Sequence, residues 1–170
     1  KDITLSAGID FTHDDGARGK KLLPETMGSG CAFVDVDSDG DSDILLASGR
    51  PWKWTSEKPA DSTLRLWLND GNGQFVEASR EWRLEIDAYC TGLAVGDVDG
   101  DGDQDIMSAN YLSNQISYYP NGSIGGAGPS VVRLTSSSQT RGPRNVRTGD
   151  IDGDGILDFI STSVLDGKVA

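Results

Sequence analysis

Histidine occurs once, as His13, and cysteine twice, as Cys31 and Cys90, in a chain of 170 residues. Two cysteines are too few for a disulfide scaffold, and their separation matches no zinc-binding pattern. A lone histidine without a Gly-x-Ser-x-Gly elbow leaves little for nucleophilic or metal-assisted hydrolysis. Glu25, Glu57, Glu77, Glu81 and Glu85 show no spacing that pairs them for glycoside cleavage. The expectation is a chain with no catalytic activity of its own. Basic residues are also scarce. Fifteen Lys and Arg face 27 Asp and Glu, a net charge of −12. Such a chain repels phosphate backbones, which argues against nucleic acid as a partner. No apolar run approaches the ~18–20 residues of a membrane span, and no stretch of ten or more residues has a convincing helical period. The chain opens at Lys1 without Met or a signal peptide, as expected of a processed secreted protein or of a fragment.

Glycine, by contrast, is abundant at 22 residues, which favours turns and short strands. The length fits one domain of ordinary size, and a mean hydropathy of −0.38 fits a soluble chain with a modest core. The clearest feature is repetition. The unit Cys31-Ala32-Phe33-Val34-Asp35 through Asp43-Ile44-Leu45-Leu46-Ala47-Ser48 returns from Leu93 to Ala109, and again from Val146 to Thr162. Its first aspartates, Asp35, Asp97 and Asp150, lie 62 and then 53 residues apart. That spacing suits a four-stranded propeller blade.

Within a unit, a short alternating run enters an Asp-rich loop and an apolar run leaves it. A third run follows at Leu64–Leu68 and at Gln115–Tyr119. These end at the turn signals Asn69-Asp70-Gly71-Asn72-Gly73 and Pro120-Asn121-Gly122. A fourth strand is expected near Gln74–Glu77 and near Ser130–Leu134. The fold class is therefore all-β, built of propeller blades with four antiparallel strands each. The expected divisions are an N-terminal segment over 1–27, blades over 28–90 and 91–144, and an incomplete blade over 145–170. Residues Ile9–His13 are expected to supply an outer strand. About two and a half blades do not close a ring, so further blades or subunits are expected to complete it.

Each loop reads Asp-x-Asp-x-Asp-Gly-x-x-Asp. A hard cation such as Ca²⁺ takes six to eight oxygen ligands, and carboxylates at positions 1, 3, 5 and 9 with a carbonyl at position 7 supply most of them. The first loop offers Asp35, Asp37, Asp39 and Asp43, the carbonyl of Asp41, and Gly40 at the turn. The second offers Asp97, Asp99, Asp101 and Asp105, the carbonyl of Asp103, and Gly102. The third offers Asp150, Asp152, Asp154 and Asp158, the carbonyl of Ile156, and Gly155. The loops hold fourteen of the 27 acidic residues, a crowding that calls for a cation. Three Ca²⁺ are expected, with structural rather than catalytic roles. The EF-hand is excluded because position 12 is Leu46, Ser108 or Ser161 instead of glutamate, and the flanks are β-like.

These stretches, with Leu66-Trp67-Leu68-Asn69-Asp70-Gly71-Asn72-Gly73-Gln74-Phe75 as a blade-end hairpin, resemble the FG-GAP/VCBS repeats of integrin-α-like propellers. The resemblance spans most of residues 28–170. It implies a β-propeller with calcium between the first and second strands of each blade, in an extracellular, cell-surface or periplasmic setting. It does not imply one activity; members serve in adhesion, carbohydrate binding or as accessory domains of larger proteins.

In such a blade the metal loops lie on one face. The other face would carry Trp52, Lys53, Trp54, Arg80, Trp82, Arg83, Tyr111, Arg141 and Arg144. Exposed aromatics suit sugars or a protein partner, and packing between blades is the competing use. The loop with Trp52 and Trp54 is the foremost candidate for a protein or carbohydrate ligand. Cys31 and Cys90 are either disulfide-bonded or two buried thiols. Asn121-Gly122-Ser123 is a glycosylation sequon in an expected surface turn.

Overall fold

The computed structural model describes residues 2–57, 62–84, 86–121, 132–135 and 138–165. Among them are ten β-strands, three 3₁₀ turns and no α-helix. Strands β1 (Cys31–Val34), β2 (Asp43–Ala47), β3 (Leu64–Asn69) and β4 (Phe75–Glu77) form one antiparallel sheet in that order. Strands β5 (Cys90–Gly96), β6 (Asp105–Asn110), β7 (Gln115–Tyr119) and β8 (Val132–Arg133) repeat the arrangement. Strands β9 (Pro143–Gly149) and β10 (Asp158–Ser163) form a third, two-stranded sheet. Two four-stranded meanders and a third begun in the same way are the blades expected from the repeat. The end of the incomplete blade expected over 145–170, from residue 166 on, lies outside the described residues, as do Ser130 and Gly122.

Alternation within the strands sets the packing, since successive side chains point to opposite faces. Leu93 of β5 and Ile106 of β6 join a cluster with Val34, Leu45, Leu64 and Leu66 of the first sheet. Their neighbours Ala94 and Met107 point the other way, to Val146 of the third sheet. The middle sheet is thus covered on both sides, and every residue of β6 is buried. Leu45, Leu64 and Leu66 are 0% exposed; burial of each such side chain is worth about 1.5–3 kcal/mol. Successive inner strands approach closely at two glycines. A Cβ on Gly30 would lie 2.7 Å from the Leu93 nitrogen, and one on Gly92 2.9 Å from the Arg144 carbonyl oxygen.

No strand forms over residues 9–13. The segment instead covers the outer part of the first sheet. The Phe11 ring meets Trp67 edge-on at 5.8 Å, and the Arg65 guanidinium lies over the same indole at 4.7 Å. Arg65 also donates to the Asp10 carbonyl at 2.8 Å. Farther on, the Asp14 amide donates to Ser48 Oγ, and Tyr89 donates its hydroxyl to the Asp15 carbonyl.

Both cysteines are free thiols; Cys31 is exposed and Cys90 buried. Strand alternation explains this. Cys31 and Phe33 point away from the second sheet, as their exposure shows, whereas Cys90 sits in the core between the two sheets. Burial pushes the Cys90 thiol up to about 12.

Candidate metal centre

The three Asp-rich loops join the first and second strands of each sheet and share one set of hydrogen bonds. The amide of the position-6 glycine donates to the position-1 carboxylate: Gly40 to Asp35 at 3.1 Å, Gly102 to Asp97 at 3.1 Å, Gly155 to Asp150 at 3.0 Å. The position-7 amide donates to the position-5 carboxylate: Asp41 to Asp39 at 2.8 Å, Asp103 to Asp101 at 3.0 Å, Ile156 to Asp154 at 2.8 Å. The position-2 amide donates to the position-9 carboxylate: Val36 to Asp43 at 2.9 Å, Val98 to Asp105 at 3.0 Å, Ile151 to Asp158 at 3.0 Å. Position 6 has φ of +94°, +96° and +91°, a conformation that glycine adopts at no steric cost.

Carboxylate oxygens converge in each loop. Asp35, Asp37 and Asp39 bring one oxygen each within 4.8 Å of one another, as do Asp97, Asp99 and Asp101, and Asp150, Asp152 and Asp158. The all-oxygen donor set fits a hard metal ion, and these residues would hold it. Repulsion is already felt among them. Burial, with Asp39 and Asp35 alongside, raises the Asp37 carboxyl above its ordinary range. An ion would reverse that preference.

Position 9 is more than a ligand candidate. Asp43 and Asp105 are fully buried behind their triads. Asp43 accepts the Val36 amide on one oxygen and the Asn69 amide on the other, each at 2.9 Å. Asp105 accepts Val98, Asn121 and the Tyr118 hydroxyl. Each Asp43 oxygen retains a second lone pair for an ion, as does the Asp105 oxygen that accepts Asn121, while both carboxylates already tie the loop to the end of the third strand. Burial raises both carboxyls despite these bonds. Asp158 lies within the third triad itself, and Asp154 stands outside it. Asp41 and Asp103 likewise stand outside the triads, and the Asp41 carboxylate rests against Gly71.

Three features escape a reading of the loops by their aspartates. Position 4 also takes a positive φ: +60° at Ser38, +78° at Gly100 and +81° at Gly153. The two glycines in Asp-x-Asp-Gly-Asp-Gly signal it, and Ser38 hides it. Asn69 and Asn121 brace the position-9 aspartates by their amides, but they stand 26 and 16 residues after them, so the repeat offset conceals the equivalence. The single Tyr118 hydroxyl lies within hydrogen-bond distance of both Asp99, at 2.9 Å, and Asp105, at 3.1 Å, and burial, with these two carboxylates, holds its phenol far above the ordinary value. Asn121 also donates its side-chain nitrogen to Val36 at 2.7 Å and Gln104 at 3.2 Å. The nitrogen to which a glycan on this sequon would attach is therefore engaged between two blades.

Away from the metal loops, an aromatic ladder crosses the chain. Trp54 stacks on Trp52 at 4.8 Å and 10°, Trp52 packs on Tyr89 at 5.4 Å, and Tyr89 on Tyr111 at 6.2 Å. Arg144 lies over Tyr111 at 6.0 Å. Trp52 is 5% exposed and donates its indole N–H to Glu25, whereas Trp54 is 55% exposed. Of the two tryptophans expected at a ligand surface, Trp52 serves packing and Trp54 is accessible. Trp82 packs against the core between the first two sheets.

Blades of four antiparallel strands, with an acidic loop between the first and second, define a propeller-repeat protein. A family model for FG-GAP-like repeats matches residues 35–108 and 97–161, and the chain belongs to that family. A search of curated proteins finds no match.

Proposed function

We propose that this chain is a calcium-binding β-propeller module of an extracellular protein, non-catalytic in itself, in which Ca²⁺ is structural and the opposite face serves adhesion or ligand binding. The observation that carries the calcium reading is the recurrence of one hydrogen-bond pattern around three carboxylate triads. Ca²⁺ tolerates the irregular shells such loops offer, whereas Mg²⁺ demands near-ideal octahedral geometry and keeps its waters. An ion that binds only the folded loop stabilises it by RT ln(1 + [L]/Kd), about 1.4 kcal/mol per site at ten times Kd. Extracellular modules have Kd of roughly 10⁻⁴–10⁻³ M, so millimolar calcium outside the cell would fill them. Calorimetric titration of the metal-free chain is expected to give three Ca²⁺ per chain. A stoichiometry of zero, or an equal response to Mg²⁺, would contradict the reading.

The ligand face is supported by Trp54, a large exposed aromatic held flat by its neighbour. A scaffold role in a larger assembly is the second reading. It is favoured by Phe33 and Ile160, 74% and 42% exposed on strands of the two flanking sheets.

A further inference from the structure

We infer that a cleft between the first two blades, away from the metal loops, binds a neutral saccharide; this rests on the ligand-face reading and gives it a chemical class. The cleft has a volume of about 350 Å³ and is lined by Arg50, Lys53, Asp87, Tyr89, Leu112 and Ser113. Its size falls at the lower end of the roughly 300–1,000 Å³ of small-molecule sites. Three connections build it: the one after β2, the one entering β5, and the one between β6 and β7. None of them is a metal loop.

Charge selects the ligand. On a chain of net charge −12, this cleft gathers Arg50 and Lys53 with Asp87 as their counterpart. Arg50 is anchored: its Nη1 pairs with the Asp87 carboxylate and donates to the Asp87 carbonyl at 3.3 Å. The Arg50 side chain is 13% exposed and that of Asp87 is 59% exposed, so the carboxylate faces solvent. An anionic ligand would meet Asp87, and a cationic one would meet Arg50 and Lys53. A hydroxyl group both donates and accepts, and so satisfies carboxylate and cation together. A ligand dense in hydroxyls and without net charge is the one this set favours.

The apolar surfaces agree. The Tyr89 ring, pinned by its hydroxyl to the Asp15 carbonyl, forms part of the wall. Behind it the stack runs through Trp52 to the exposed Trp54, next in sequence to the cleft residue Lys53. Tyr89 and Trp52 are themselves buried, at 2% and 5% exposed, so they act as backing, and the ring face open to a ligand is that of Trp54. A ring already fixed by packing loses little freedom on binding, and its face suits the C–H surface of a pyranose ring. One sugar unit would occupy the cleft, and an adjoining unit would reach Trp54.

The test is tryptophan-fluorescence titration of the calcium-loaded chain with neutral glucose-, galactose-, mannose- and N-acetylhexosamine-based oligosaccharides, and in parallel with sulfated and uronate-containing ones. The expected result is a saturable response to a neutral member, weakened at least tenfold in Asp87→Asn and in Trp54→Ala, and unchanged in Lys20→Ala. Saturation that survives Asp87→Asn overturns the assignment of the cleft. Binding of acidic glycans alone, lost in Trp54→Ala, overturns the neutral class and leaves the ligand face standing. No response to either class, from a chain whose calcium-dependent melt is intact, overturns the saccharide inference without touching the calcium sites.

Discussion

Replacing Asp43 with asparagine separates the two roles of position 9. The carboxylate accepts the Val36 amide on one oxygen and the Asn69 amide on the other. Asparagine keeps the shape and one acceptor, but its NH₂ turns a second donor toward one of those amides. Loss of a hydrogen bond to a charged group is worth about 1.5–3 kcal/mol, and a buried unpaired amide adds to it. Relief works in the other direction, because burial already penalises the charged form of Asp43. The net cost is about 2 kcal/mol, which at roughly 2–4 °C per kcal/mol for a chain of this size lowers Tm by about 4–8 °C. This loss needs no metal. In circular-dichroism melts, Asp43→Asn is expected to fall below the unmodified chain in EDTA as well as in calcium. Asp37→Ala is the contrast. Its carboxylate is raised by burial and by Asp39 and Asp35, so its removal lowers Tm in calcium and leaves it equal or slightly higher in EDTA. Coincident melts of Asp43→Asn and the unmodified chain in EDTA would refute the reasoning.

Ser38→Gly is expected to stabilise the chain. A left-handed non-glycine residue costs about 1–2 kcal/mol, and glycine's added chain entropy returns about 0.5–1 of it, leaving a gain of about 0.5–1 kcal/mol, with Gly100→Ser losing a similar amount; a Tm shift of the opposite sign in either variant would count against the positive φ as the cause. Asn121→Ala removes the bonds to Val36 and Gln104 and is expected to cost about 2 kcal/mol. The same bonds predict that protein made through a eukaryotic secretory route carries no glycan at Asn121, which mass spectrometry would check. Alkaline pH should unfold the chain through Cys90 and Tyr119, both raised to about 12 by burial from 9.0 and 10.0. Folding favours their neutral forms, so that stability is full below pH 9 and is lost as pH rises toward 12, by about 1.4 kcal/mol per unit for each group ionised only in the unfolded chain. Cys90→Ala should flatten the part of the pH–Tm curve that begins near 9.

Much of the fold was legible because its signals are local. Gln115–Tyr119 and Asp43–Ala47 are short apolar runs bounded by turn residues, and such runs form strands wherever a sheet is available. The triads were legible for the same reason, since a nine-residue loop positions its own carboxylates. What could not be read depends on distant partners. Ile9–His13 has strand-like residues, yet Phe11 finds Trp67 and Asp10 finds Arg65, and side-chain packing takes the place of a ladder. Trp52 and Trp54 look alike in sequence. Only the positions of Glu25 and Tyr89 decide that one is buried and the other exposed. Asn121 has a sequon's sequence, but Val36, 85 residues earlier, engages its side chain.

Three loops are proposed to bind calcium, and calcium is proposed to hold the blades together. The most direct measurement is a thermal melt of the chain by circular dichroism in excess Ca²⁺, in EDTA, and in EDTA followed by excess Mg²⁺. Three sites at about 1.4 kcal/mol each predict that EDTA lowers Tm by roughly 8–16 °C at 2–4 °C per kcal/mol, and that Ca²⁺ but not Mg²⁺ restores it. A native β spectrum whose melt is the same in all three conditions would contradict the account.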